Sequence, residues 1–126
     1  MDMKLELVAV PVTDVDRARD FYVQAGFVLD HDHAVSDDVR FVQLTPPGSG
    51  CSIAVGQGLT QMQPGTLDNM QMVVADADAA HADLKGRGVE VSDVDEQPWG
   101  RFVYFSDPDG NGWALQQLPD WSGQRQ

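Results

Sequence analysis

The chain has 126 residues, 42% of them hydrophobic, enough to bury one core and too few for two, so a single domain, 1–126, is expected. Twenty acidic residues against eight basic ones leave a formal charge of -12, which argues against nucleic acid and anionic membranes as partners. Cys51 is the one cysteine, so no intramolecular disulfide can form, and no apolar run has the length of a signal peptide or membrane span; a cytoplasmic protein is expected.

In chain order, Lys4 to Val12 is apolar and β-branched and predicts a strand. Asp14 supplies a capping carboxylate, and Val15, Ala18, Phe21, Tyr22 and Ala25 recur at helical spacing until Gly26, predicting a helix over Val15 to Ala25. Three short strands are expected next, at Phe27 to His33, Val39 to Leu44 and Cys51 to Val55, separated by turn residues such as Pro46-Pro47-Gly48. A stretch from about 58 to 68 has no periodicity and predicts a linker.

The same order then restarts. Asn69 to Val74 predicts a strand, Asp76 a cap and Ala77 to Gly86 a helix, with further strands at Val89 to Val94, Arg101 to Phe105 and Trp113 to Leu118. A constant offset of 62 pairs Val12 with Val74, Asp14 with Asp76, Asp16 with Asp78, Ala18 with Ala80 and Gly26 with Gly88. The chain is therefore an internal duplication of α+β class: two tandem βαβββ units, about 3–57 and 69–119, expected to form a curved, cup-like mixed sheet with the helices outside. The inner face of such a cup has to bury something, and a small molecule or a metal is the natural occupant.

Three motifs carry a resemblance: Val10-Pro-Val-Thr-Asp-Val-Asp-Arg-Ala-Arg-Asp-Phe-Tyr22, the pair Gly26-Phe27, and Asp107-Pro-Asp-Gly-Asn-Gly112. Together they resemble the vicinal oxygen chelate superfamily of glyoxalases, extradiol dioxygenases, and fosfomycin- and bleomycin-resistance proteins, over Met3 to Pro119. The resemblance implies a divalent metal held by His, Glu or Gln. Counted back from the capping Asp14 and Asp76, it places the metal-ligand positions at Leu7 and Asn69; counted from the Asp-Pro-Asp-Gly turn, at Ala114, with a counterpart near Ala54. Leucine and alanine offer no lone pair and asparagine offers one carbonyl oxygen, so no metal and no other cofactor is expected at the usual site.

Other candidates for chemistry are thin. His31 and His33 lie two apart on a strand and share a face, which suits a solvated strand end; His81 is expected to face solvent, and Cys51 to be an ordinary thiol. The residues that share the alternation of the vacated ligand positions, or flank it, form the candidate ligand cavity: Leu7, Phe41, Gln43, Ala54, Asn69, Trp99, Arg101, Tyr104, Ala114 and Gln116. Trp99 is suited to stack on a flat ligand and Arg101 to meet an anionic group.

The resemblance then implies a metal-free small-molecule-binding protein, like the bleomycin-resistance branch that sequesters drugs, with a hydrophobic or cationic ligand and a homodimeric assembly. The alternative is a glyoxalase-like lyase or isomerase, or a dioxygenase, with a relocated metal or a metal-independent acid-base site drawn from Arg101, Tyr104 or His33. Sequence alone leaves open whether the chain is an enzyme.

Overall fold

A computed structural model of the chain describes residues 1–119. Its elements are β1 (Leu7–Ala9), α1 (Val15–Gln24), β2 (Val28–Ala34), β3 (Arg40–Thr45), β4 (Ser52–Gln57), β5 (Met70–Val73), α2 (Ala77–Gly86), β6 (Asp95–Gln97), β7 (Gly100–Ser106) and β8 (Gly112–Gln117). They make two four-stranded mixed sheets, β1-β4-β3-β2 and β5-β8-β7-β6, in which β1 runs parallel to β4 and β5 parallel to β8. The fold is α+β and the βαβββ order occurs twice, as the duplication predicts. Two compact units result: the first holds 1–68 together with Ser106–Asn111, the second Asn69–Phe105 and the chain from Gly112 on.

The two helices begin and end by the same chemistry. Asp14 accepts from the Arg17 amide at 3.0 Å, and Asp76 accepts from the amides of Asp78 and Ala79 at 2.9 and 3.2 Å, so each carboxylate satisfies donors that a helix start leaves orphaned. At the other end Gly26 and Gly88 take positive φ, 108° and 81°. The amides of Phe27 and Val89 then reach back to the carbonyls of Tyr22 and Leu84, 2.9 and 3.0 Å away. Every one of these residues has its counterpart at the offset of 62.

In the first unit Ala18 and Tyr22 of α1 are fully buried, as are Val42, Leu44 and Val55 of the sheet beneath. In the second, Leu84 of α2 is buried, as are Val103, Phe105, Trp113 and Leu115, with the Phe105 and Trp113 rings stacked at 6.1 Å. Burying each large apolar side chain contributes about 1.5–3 kcal/mol, so these helix-bearing faces supply most of the folding drive.

Two expectations are corrected. Val89 to Val94 is not a strand, and the short β6 lies just after it. The cause is Ser92: its amide donates to the Tyr104 carbonyl, but the Tyr104 amide donates to the Ser92 hydroxyl at 2.9 Å, because the Ser92 carbonyl is taken by His81 Nδ1 at 2.8 Å. A side chain has replaced the backbone acceptor and the ladder cannot propagate. His81 is accordingly half-buried and tethers α2, rather than facing solvent.

The Asp107-Pro-Asp-Gly-Asn loop lies in sequence between strands of the second sheet but belongs to the first unit. Buried Asp107 accepts from the Tyr22 hydroxyl and from Asn111 Nδ2, both at 2.8 Å, and from the amides of Asp109 and Asn111. Asn111, fully buried, donates to the Pro11 carbonyl at 2.8 Å and accepts from the Leu67 amide. Asp109 accepts from the amide and hydroxyl of Thr13. A Cβ on Gly65, at φ 77°, would come within 2.1 Å of the Asp109 carbonyl oxygen, so only glycine fits opposite this loop.

Candidate functional site

Each sheet carries its helix on one face, and the cross-strand register sorts side chains between that face and the other. On β3 of the first unit, Arg40, Val42 and Leu44 lie toward α1, since Arg40 bonds Asp16 of that helix at 2.8 Å. Phe41, Gln43 and Thr45 therefore occupy the helix-free face. Ala54 stands opposite Gln43, and along the parallel pair Leu7 and Ala9 stand beside Ser52 and Ala54. Gln43 donates to the Ser52 hydroxyl at 3.2 Å, Ser52 and Thr45 share a hydrogen bond of 2.6 Å, and Thr45 donates to Asp30. A connected polar ladder thus crosses β4, β3 and β2.

In the second unit the helix-free face carries Phe102 and Tyr104 of β7, their rings stacked at 6.0 Å and 6°, with Ala114 and Gln116 of β8. Gln71 stands beside Ala114 in the parallel register, and Asn69, at φ 60°, accepts from the Gln71 amide group. The Tyr104 hydroxyl donates to Asp95 at 2.8 Å; burial and that carboxylate both push it above the usual phenol range. Trp99 is 56% exposed at the β6–β7 turn, its carbonyl held by Gln116 at 3.2 Å. Gly100 permits that approach, since a Cβ there would lie 2.9 Å from the Gln117 carbonyl oxygen.

Arg101 does not join this face. Its guanidinium bonds Asp78 of α2 at 3.0 Å and Glu96 at 2.8 Å, on the helix-bearing side. Arg40 makes the same clasp in the first unit, to Asp16 of α1 and to Asp32 of β2 at 2.9 Å. The two arginines and Asp32 are driven further toward their charged forms by these pairs, and Asp32 is held down to about 2 against an ordinary 3.8. An arginine so engaged is a brace between helix and sheet, not a free anion receptor.

The register also fixes the alignment of the positions where the resemblance would place metal ligands. Ala9 and Gln71 share the offset of 62 and pair with Ala54 and Ala114, so those two alanines are equivalent. None of Leu7, Ala54 and Ala114 has a donor atom on its side chain, and the Asn69 carbonyl oxygen is taken by Gln71. The residues present do not fit a catalytic divalent ion, which needs about three protein ligands. Among the described residues no group of three or more His, Cys, Asp or Glu side chains is placed to hold a metal. Cys51 is half-buried and its thiol is pushed up by burial and then by Glu6, which disfavours the nucleophilic thiolate.

What sequence reasoning missed lies on β2. His31 and His33 are exposed but sit within the strand, on the helix-free face, paired with Gln43 and Phe41. Their rings stack at 5.9 Å.

The family model described as Glyoxalase/Bleomycin resistance protein/Dioxygenase superfamily matches residues 4–115. The uncharacterized protein YetH of Bacillus subtilis (strain 168) is 27% identical over 93% of this chain and 100% of its own length. TnmS3, an antibiotic binding protein from Streptomyces sp. CB03234, is 38% identical with a TM-score of 0.83, covering 94% of this chain and 98% of that one. A glyoxalase/bleomycin resistance protein from the same strain is 39% identical with a TM-score of 0.78, covering 90% and 100%. Among the described residues no helix is long and apolar enough to cross a membrane.

Proposed function

Because this chain belongs to the Glyoxalase/Bleomycin resistance protein/Dioxygenase superfamily, we propose that it binds a small molecule of antibiotic type without a metal ion and without turning it over. The observation that carries this reading is the donor set at the four equivalent positions, Leu7, Ala54, Asn69 and Ala114, where side chains that ligate would have to stand. Metal-dependent isomerisation, ring cleavage or epoxide opening each needs the ion as a Lewis acid, and these residues supply no cage for one. What remains on the helix-free faces is an apolar and amide surface with a few hydroxyls and exposed aromatic rings, the composition of a binding surface. The likeness to an antibiotic binding protein at 38% identity supports the same reading.

Thermal unfolding against a panel of antibiotics, bleomycin included, tests it. A ligand at about 100 times its Kd stabilises by about 2.7 kcal/mol, a shift of several degrees. Metal analysis of protein grown with added nickel, cobalt, zinc, manganese and iron gives the second arm. Near-stoichiometric metal surviving purification sinks the metal-free reading, and consumption of a bound compound sinks the absence of turnover.

A further inference from the structure

Strand β2 reads Val28-Leu-Asp-His-Asp-His-Ala34 and is not regular. Val28 pairs with Thr45 and Leu29 with Leu44, but the next pair is His31 with Gln43, so Asp30 is an extra residue with no partner, a β-bulge. Strict alternation from Val28, which shares the helix-free face with Thr45, would put Asp30 and Asp32 on that face and turn His31 and His33 toward the helix. One inserted residue reverses the phase of everything beyond it. Asp32 is thereby delivered to the helix side, where Arg19 and Arg40 both bond it at 2.9 Å, and the two imidazoles are delivered to the helix-free side. A regular strand would strand two arginines without their shared carboxylate and bury two imidazoles against α1.

The polar groups around the imidazoles are already engaged. Asp30 accepts from Thr45, and Gln43 donates to Ser52. Neither imidazole has a hydrogen-bond partner among the described residues, and in either protonation state each has at least one N–H to donate. Their rings stack at 25°, and His33 stands opposite Phe41. The spare capacity of this surface is therefore ring faces and N–H donors. The charge of -12 favours cations at long range, but that field is screened beyond roughly 8 Å at physiological salt, whereas recognition is decided at contact.

We propose that the bulge at Asp30 builds a recognition surface from His31, His33, Phe41 and Gln43 for a planar aromatic ligand that carries hydrogen-bond acceptors such as ring carbonyl or phenolate oxygens. The inference rests on the ligand-binding reading above and narrows its ligand class. Stacking takes place on the imidazole and phenyl faces, and the imidazole N–H groups meet the acceptors.

Two probes of matched size test it, followed by NMR on the histidine ring protons: 2-acetylnaphthalene, which has only an acceptor, and 2-naphthylmethylammonium, which has only donors. The expected result is saturable shifts of the His31 and His33 signals with 2-acetylnaphthalene and at least fivefold weaker binding of the ammonium. A His31→Ala/His33→Ala variant should lose at least fivefold in affinity for the acetyl probe and keep its unfolding midpoint, because both side chains are exposed. If the histidine signals of the wild type do not move with either probe, or if the ammonium binds as well as the ketone, the inference is overturned, and the wild-type measurement stands even if the variant misfolds. Antibiotic thermal shifts separate the two readings: shifts with silent histidines leave the binding function in place and remove only this surface.

Discussion

The two halves of the chain repeat their scaffolding and diverge elsewhere. Arg40 braces Asp16 and Asp32 in the first unit, and Arg101 braces Asp78 and Glu96 in the second, with the helix carboxylates Asp16 and Asp78 at the offset that also pairs the caps. By contrast, the helix-free face of the first unit carries imidazoles, hydroxyls and an amide, and that of the second carries stacked Phe102 and Tyr104 with Gln71 and Gln116. The loops before the last strand of each unit differ as well. Residues 46–51 make only local turn bonds, while 107–111 is a buried hub. What the fold needs twice is kept twice; what the fold does not need is free to specialise.

The sharpest test of that contrast is the pair of loops. Asp107→Ala removes the acceptor of the Tyr22 hydroxyl and of two buried amides, and should cost about 3 kcal/mol or more in urea unfolding. Ser49→Ala in the counterpart loop should stay within about 0.5 kcal/mol. Equal losses would mean that the hub is ordinary turn chemistry.

The two braces should differ by less. Asp32 is 27% exposed, whereas Asp78 and Glu96 are 68% and 73% exposed, so Arg40→Met is expected to cost about 1–2 kcal/mol and Arg101→Met less than about 1 kcal/mol. The acid limb carries the same asymmetry. A carboxyl depressed from 3.8 to about 2 contributes its stability above the ordinary value and loses it as pH falls toward 2. Wild-type stability should therefore fall more steeply between pH 4 and pH 2 than that of Asp32→Asn, and parallel curves would remove the brace from the account.

Smallest is the tether at one shared helix position. His81→Ala frees the Ser92 carbonyl and should cost about 1 kcal/mol, against about 0.5 kcal/mol for Arg19→Ala, whose carboxylate Asp32 keeps Arg40. Urea midpoints of the two variants check this ordering.

Most of the fold was legible because its signals are local. Asp14 and Gly26 act within a few residues of where they stand, and their copies at Asp76 and Gly88 confirm the pattern. The face of β2 was not legible, because a bulge inserts one residue into an otherwise plausible alternation and no residue type announces it. The stop before β6 was hidden in a serine hydroxyl competing with the backbone. Arg101 read as a ligand contact because its partner Asp78 lies 23 positions back; the signal was present, since Arg40 precedes it in the first unit with Asp16 in the matching place.

The hub has a consequence for the order in which the protein is made. Tyr22, Pro11 and Leu67 find their partners in Asp107 and Asn111, so the first unit to leave the ribosome cannot complete its own hydrogen bonding until the second is almost entirely synthesised. The amino-terminal half must wait, and the duplicated chain matures as one event rather than as two in succession.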